Sequence, residues 1–235
     1  MSIFSRKSKE DVKKQEREKI LQYLKTASAD GNEMQVYAQL MNLVSGHHLG
    51  ATEAPYIING TIEASARRDW QNGIGMAIYC LNSMDEPSVK EMLLSKTLSL
   101  IGRADRNNLR QMASVAMAAQ LVVTRAPAGS DIRKAGMAEW NAAVDILATK
   151  KEGLNFAFAA ASNAALGRDA PDDLARIALD KWEKAVMETA RTSKSDAFNE
   201  VSRVTRMYYE FGARGGMFRD RAMETIYKIA KIRPK

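Results

Sequence analysis

The chain has 235 residues, 46% of them hydrophobic and 27% charged, the balance of a soluble globular protein long enough to bury a sizeable core. One cysteine, two histidines and five prolines exclude a disulfide framework, a zinc finger and a Pro-rich fibre. The formal net charge of +7 is loaded on the ends, with +4 in residues 1–25, +6 in residues 203–235 and −3 in the 177 residues between, which excludes a basic stripe running the length of the chain.

The opening Met1-Ser-Ile-Phe-Ser-Arg-Lys-Ser-Lys has no apolar run of the signal-peptide kind, and Ser2 is not the glycine that myristoylation requires. The clean uncharged runs Trp70–Met84 and Gly153–Gly167 have 15 residues each, short of the ~20 needed to span a bilayer. Met34–Thr52 also lacks Asp, Glu, Lys and Arg but is broken by Gly46 and Gly50. The expectation is a protein without a transmembrane segment, cytoplasmic or, if viral, in the virion interior.

Ala, Met, Leu, Lys, Arg and Glu dominate, and no stretch holds a strand's period of two. In chain order the spacing predicts helices over Glu10–Thr26, Glu33–Val44, Glu53–Ala66, Trp70–Ser83 and Ser88–Gly102. Arg106–Thr124, Ser130–Lys150, Leu154–Leu166, Asp172–Thr192, Asp196–Tyr209 and Met217–Ile232 follow. The fold expected is all-α, with about eleven antiparallel helices stacked as hairpins, either an α-solenoid of the HEAT or TPR type or a compact multi-helix domain. Residues 1–30 read as a basic N-terminal arm, 31–213 as the hairpin array and 214–235 as a basic C-terminal capping helix.

The first helix is polar, with Val12, Ile20, Leu21 and Leu24 as a late apolar face; its spacing allows a Glu10–Lys14 pair at i, i+4. Asn32 is placed to cap the second helix. The fourth carries Gly73-Ile74-Gly75, a lone Gly-x-Gly without the context of a nucleotide loop, and Cys80 in apolar surroundings that suppress thiol reactivity. His47 and His48 are adjacent and point apart, so they are expected in a loop and not on a metal. Pro55, Pro87, Pro127 and Pro171 mark helix starts, with Ser88, Ser130 and Asp172 as caps and Asp131 and Asp173 favouring the positive end of the dipole. In the sixth helix Leu109, Met112, Ala113, Ala116 and Val123 form one apolar face and Val115, Ala118 and Val122 another. Leu154–Leu166 is apolar nearly all round and is expected to be sandwiched. Thirteen methionines suit core gaps and adaptable surfaces alike.

An internal repeat organises the second half. Asp131, Ile132, Trp140, Ala143, Val144, Ala148 and Phe156 recur 42 residues later as Asp173, Leu174, Trp182, Ala185, Val186, Ala190 and Phe198. Periods of roughly 33–47 residues mark arrays of helical hairpins. The Trp-x-x-Ala-Val pattern resembles tetratricopeptide arrays, without their Leu-Gly pair or downstream signature residues, and HEAT arrays have a compatible period. No family is identified by these residues.

No nucleophile elbow, phosphate loop or dinucleotide fingerprint occurs, so no enzyme, cofactor or metal is expected. The functional reading is a non-catalytic helical scaffold that binds a protein partner or copies of itself. The alternative is a structural protein that binds nucleic acid, RNA or single-stranded DNA, of the nucleoprotein, matrix or coat kind. Its candidate contacts are Arg203, Arg206, Tyr208, Tyr209, Arg214, Arg219 and Arg221, where planar guanidinium forks suit phosphates and the aromatic rings suit unpaired bases. Arg103, Arg106 and Arg110 form a second cluster at a turn, and Lys13 and Lys14 a third on the first helix.

Overall fold

The structure, a computed structural model, describes residues 9–46, 48–50, 53–84, 86–149, 155, 157, 159–160, 170–211 and 215–232, with the side chains of 45, 204–211 and 215 outside the description. The described residues form ten α-helices and no strand. None of these helices is long and apolar enough to cross a membrane. The chain divides into two compact units, Met1–Arg103 and Ala104–Lys235.

The first unit holds α1 (Lys9–Asp30), α2 (Glu33–Ser45), α3 (Ala54–Arg68), α4 (Trp70–Ser83) and α5 (Pro87–Ile101). α1 ends where Gly31 turns the chain with φ +70°, a conformation that glycine adopts without steric cost. Asn32 then caps α2 as expected, its side chain accepting from the Gln35 N–H at 3.2 Å. Between α3 and α4 only Asp69 intervenes; it is extended, and its carboxylate accepts from the Gln71 N–H at 2.9 Å. Pro55 and Pro87 sit in the first turns of α3 and α5, where their missing N–H costs nothing. Ser88 does not cap α5, since it lies inside the helix and its hydroxyl bonds Glu86 instead.

Successive helices pack on each other, and α1, α3 and α5 also meet along one side while α2 meets α4 along the other. The unit is therefore a two-layer stack of hairpins, an odd layer and an even layer. Ile58, Ile62, Ile74, Leu81, Leu93 and Leu100 lie fully buried between them. At the α3–α4 joint the helices approach so closely that a Cβ on Gly73 would meet the Cβ of Ala66 at 2.3 Å; only glycine fits.

The second unit holds α6 (Leu109–Arg125), α7 (Asp131–Ala148), α8 (Asp172–Thr192), α9 (Lys194–Phe211) and α10 (Gly215–Ala230). α6 begins at Leu109 and not at Arg106, because the Asn108 carboxamide accepts from the N–H groups of both Arg110 and Gln111. Its buried stripe is Met112, Val115, Ala118, Ala119, Val122 and Val123, which joins parts of the two faces expected. Gly129 turns the chain with φ +77°, and Ser130 caps α7 by accepting from Arg133 N–H. Asp172 opens α8 but does not cap it; Pro171 holds that position, and the Asp173 carboxylate accepts from the Leu174 N–H. The helix expected over Leu154–Leu166 lies largely outside the described residues; Asn155, Ala157, Ala159 and Ala160 are helical.

The repeat has structural consequences. Trp140 and Trp182 are both fully buried at their equivalent places in α7 and α8, and Trp182 meets Phe218 of α10 edge to face at 6.4 Å. Ion pairs between residues distant in sequence follow the same rhythm. Arg17–Glu53, Lys96–Glu63, Arg103–Glu63, Arg106–Glu139, Arg133–Asp173, Lys181–Asp145, Arg221–Asp180, Arg221–Glu183 and Lys228–Glu183 span 33 to 45 residues. Each thus bridges roughly one repeat to the next, as expected where a hairpin touches mainly its neighbours.

Candidate docking face and the fate of the basic residues

The layers of the first unit differ in charge. α1, α3 and α5 carry its helical charges almost alone. α2 and α4, 13 and 14 residues long, contain one charged residue between them, Glu33; at the chain's 27% average they would carry roughly seven. Glu33 is neutralised: Ser65 donates to it at 2.8 Å, and Arg68 stands 2.5 Å from its other oxygen as a charge contact without aligned hydrogen-bond geometry.

The uncharged face is not simply core. Gln35 and Ala38 on α2 and Gly75 and Ser83 on α4 are exposed. Met34 is 83% exposed, among the most exposed large apolar residues of the chain. A groove of about 440 Å³ runs between the helices, lined by Glu33, Met34, Tyr37, Gln71, Asn72, Gly75 and Met76. Tyr37, which lines it, packs edge to face on Tyr79 with ring centroids 4.7 Å apart. Desolvation, then the neighbouring Tyr79 and Cys80, pushes the Tyr37 phenol above its ordinary pKa. Below it Cys80 is fully buried and burial pushes its thiol up to about 12, so it stays a thiol and acts as packing.

This composition has a physical meaning. The cores of protein interfaces are depleted in Lys, Asp and Glu and enriched in Tyr and Met. A polyanion, by contrast, is held by cations; α2 and α4 contribute none, and the neighbouring Arg68 is taken up by Glu33. The sequence showed the two uncharged runs, but only the topology sets α2 beside α4.

Among the described residues, five of the arginines expected to meet nucleic acid have intramolecular partners. Arg103 donates to Glu63 at 2.9 Å, and Arg106 to Glu139 at 2.6 Å. Arg221 lies between Asp180 and Glu183, 2.9 Å from the latter. Arg219 folds onto Asp220 at 3.1 Å. Arg203 contacts Glu200 at 3.4 Å and Asn155 at 3.3 Å. Lys13, Lys14 and Arg110 are exposed and make no ion pair with another described residue, so Lys14 does not take up Glu10. Arg206, Tyr208 and Tyr209 belong to the backbone of α9, but their side chains are outside the described residues, as is Arg214 altogether. His47 is likewise outside; His48 follows α2 in a loop. Among the described residues no three His, Cys, Asp or Glu side chains converge as a metal site.

Two carboxylates stand out electrostatically. Hydrogen bonds from Arg103 and then Lys96 hold Glu63 down at about 2. Glu200 is 5% exposed, and desolvation raises its pKa against the pull of Arg203. One Glu200 oxygen and the Trp182 indole N–H face each other without closing to hydrogen-bond geometry.

No family model, curated protein or solved structure matches the chain.

Proposed function

We propose that the chain is a non-catalytic helical scaffold that docks a protein surface on the even layer of its first unit. The observation that carries this reading is the charge-poor Met, Tyr and amide face of α2 and α4, in a chain with many ion pairs between hairpins elsewhere. Binding of RNA or single-stranded DNA is the alternative; it rests on Lys13, Lys14 and Arg110, which are exposed and unpaired among the described residues.

The test has two arms. A photo-crosslinking amino acid at Met34 is expected to give protein adducts that are lost when Gln71→Lys puts a cation in the groove. Labelled single-stranded oligonucleotide is expected to show no saturable binding to the full chain. The reading is overturned if the oligonucleotide binds with an affinity falling by about 0.7 log units per log unit of salt for each phosphate neutralised, while Met34 crosslinks to no protein.

A further inference from the structure

Two residues of the α2–α4 groove have no explanation within the chain. Met34 is a long apolar side chain left 83% exposed. Gly75 lies in the middle of α4, where glycine costs ~1 kcal/mol relative to alanine, yet a Cβ built there meets nothing within 4 Å. Its neighbour Gly73 is explained by the approach of Ala66; Gly75 is not. The groove therefore carries a knob and a hole side by side.

We propose that a second copy of this chain fills the groove, the copies related by a two-fold axis that seats Met34 of each at Gly75 of the other. This rests on the scaffold reading and names its partner. A two-fold contact is reciprocal: if residue i of one copy meets residue j of the other, then j meets i. One operation thus covers both anomalies, the methionine gaining an apolar seat and the glycine a reason to lack a side chain.

Charge points to the same occupant. Each copy carries +7, so two copies repel wherever their cations face each other. α2 and α4 themselves contribute no cation, and Arg68, which reaches the groove's edge, is paired with their single acid, Glu33. Two copies meet there without opposing like charges, whereas a strongly acidic or basic partner finds no counter-charge. Of the groove's polar side chains, Asn72 is an amide that both donates and accepts, and Gln35 adds another on the exposed side of α2. An amide-lined face is complementary to itself; a lysine-lined face is not. Each helix is about 20 Å long at 1.5 Å per residue, so the patch falls short of the ~800 Å² per partner of stable complexes, and the pairing is reversible and concentration-dependent.

Sedimentation velocity on the full chain, over a roughly hundredfold range of concentration, is the test. The wild type is expected to pass from its 26.0 kDa monomer towards twice that mass. Met34→Lys alone and Gly75→Glu alone are each expected to remain monomeric, with unchanged circular dichroism because both positions face open space. An equimolar mixture of the two variants is expected to associate again, since the lysine introduced in one chain then meets the glutamate introduced in the other and the reciprocal contact stays native. A wild type that is monomeric throughout, or variants that both dimerise like it, overturns self-pairing. If the monomer crosslinks at Met34 to a different protein, self-pairing fails and the scaffold reading stands; a monomer that binds only nucleic acid sinks both.

Discussion

Replacing each glycine of Gly73-Ile74-Gly75 by alanine should shift stability in opposite directions. Both lie inside α4, so both substitutions gain the same intrinsic helix propensity, ~0.8–1 kcal/mol. At Gly75 nothing opposes that gain, because no atom lies within 4 Å of the new methyl. Gly75→Ala is therefore expected to stabilise the first unit by about 0.5–1 kcal/mol, or about 1–4 °C for a chain of this size. At Gly73 the methyl falls 2.3 Å from the Cβ, 2.6 Å from the Cα and 2.9 Å from the N of Ala66. These are backbone and near-backbone atoms of α3, one joint away, and cannot swing aside as a long side chain does. α3 and α4 must separate, and overpacking of this kind costs typically 1–3 kcal/mol, which outweighs the propensity gain. Gly73→Ala is expected to lower the melting temperature by several degrees. Urea titration followed by circular dichroism and tryptophan fluorescence reads both; Trp70, at the start of α4 with its indole N–H on the Leu100 carbonyl at 2.8 Å, reports on the same unit. Equal effects of the two substitutions would refute the close approach of α3 and α4 at Gly73, and a loss of stability in Gly75→Ala would refute the open space at Gly75. Gly75→Ala should also weaken self-association, separating its effect on the fold from its effect on the face.

Glu63→Gln should lower stability at neutral pH and lose its effect in strong acid. The folded carboxyl sits at about 2, below its ordinary value, so its contribution is present above the ordinary value near 4.5 and fades as pH falls through about 2; melting temperatures across that range check it. Glu200 has the opposite sign: its folded pKa is raised, so its contribution is complete below the ordinary carboxylate range and is lost as pH rises towards the folded value. Glu200→Gln should then match the wild type at pH 4 and melt above it at pH 7, and a lower melt at pH 7 would show that its contact with Arg203 dominates instead. Arg221→Ala removes the guanidinium between Asp180 and Glu183 while Lys228 still reaches Glu183. A cost of about 1–2 kcal/mol is expected, between that of an exposed pair and a buried one, with hydrogen exchange accelerated in α8 and α10 and unchanged in the first unit.

Local chemistry was the most legible part of the sequence. Asn32 and Ser130 announced the starts of α2 and α7 because a cap acts within three residues. Trp140 and Trp182 revealed the period because a stacked hairpin must bury the same position each time. α6 was read as starting three residues early because Arg106 looks like a helix former, whereas the deciding group is the Asn108 carboxamide with its two N–H partners. The destinations of the arginines were not legible. The partner of Arg103 is 40 residues away and that of Arg221 is 41, so a residue read as an outward-facing cation is one half of a bridge whose other half lies one repeat back. The signal was present as opposite charges about one period apart, but register is needed to pair them. Likewise Met34–Thr52 and Trp70–Met84 are legible as uncharged runs, while the meeting of α2 and α4 follows from the alternation of layers.

The contrast between layers bears on why a charge-poor face is built of amides. A face meant to be permanently buried is best made of aliphatic groups, which lose nothing on leaving water. A face meant to stay wet is best made of Lys and Glu, which are costly to dehydrate. Gln35 and Asn72 belong to neither case. An amide is satisfied by water when the face is free, and by another amide when it is covered, so covering it removes no full charge from solvent. Met34 adds an adaptable apolar contact that tolerates both states. Such a surface can be dehydrated and released repeatedly at small net cost, as reversible docking requires. Meanwhile the charges on α1, α3 and α5, bonded across hairpins through Arg17, Lys96 and Arg103, help hold the register that keeps α2 and α4 side by side.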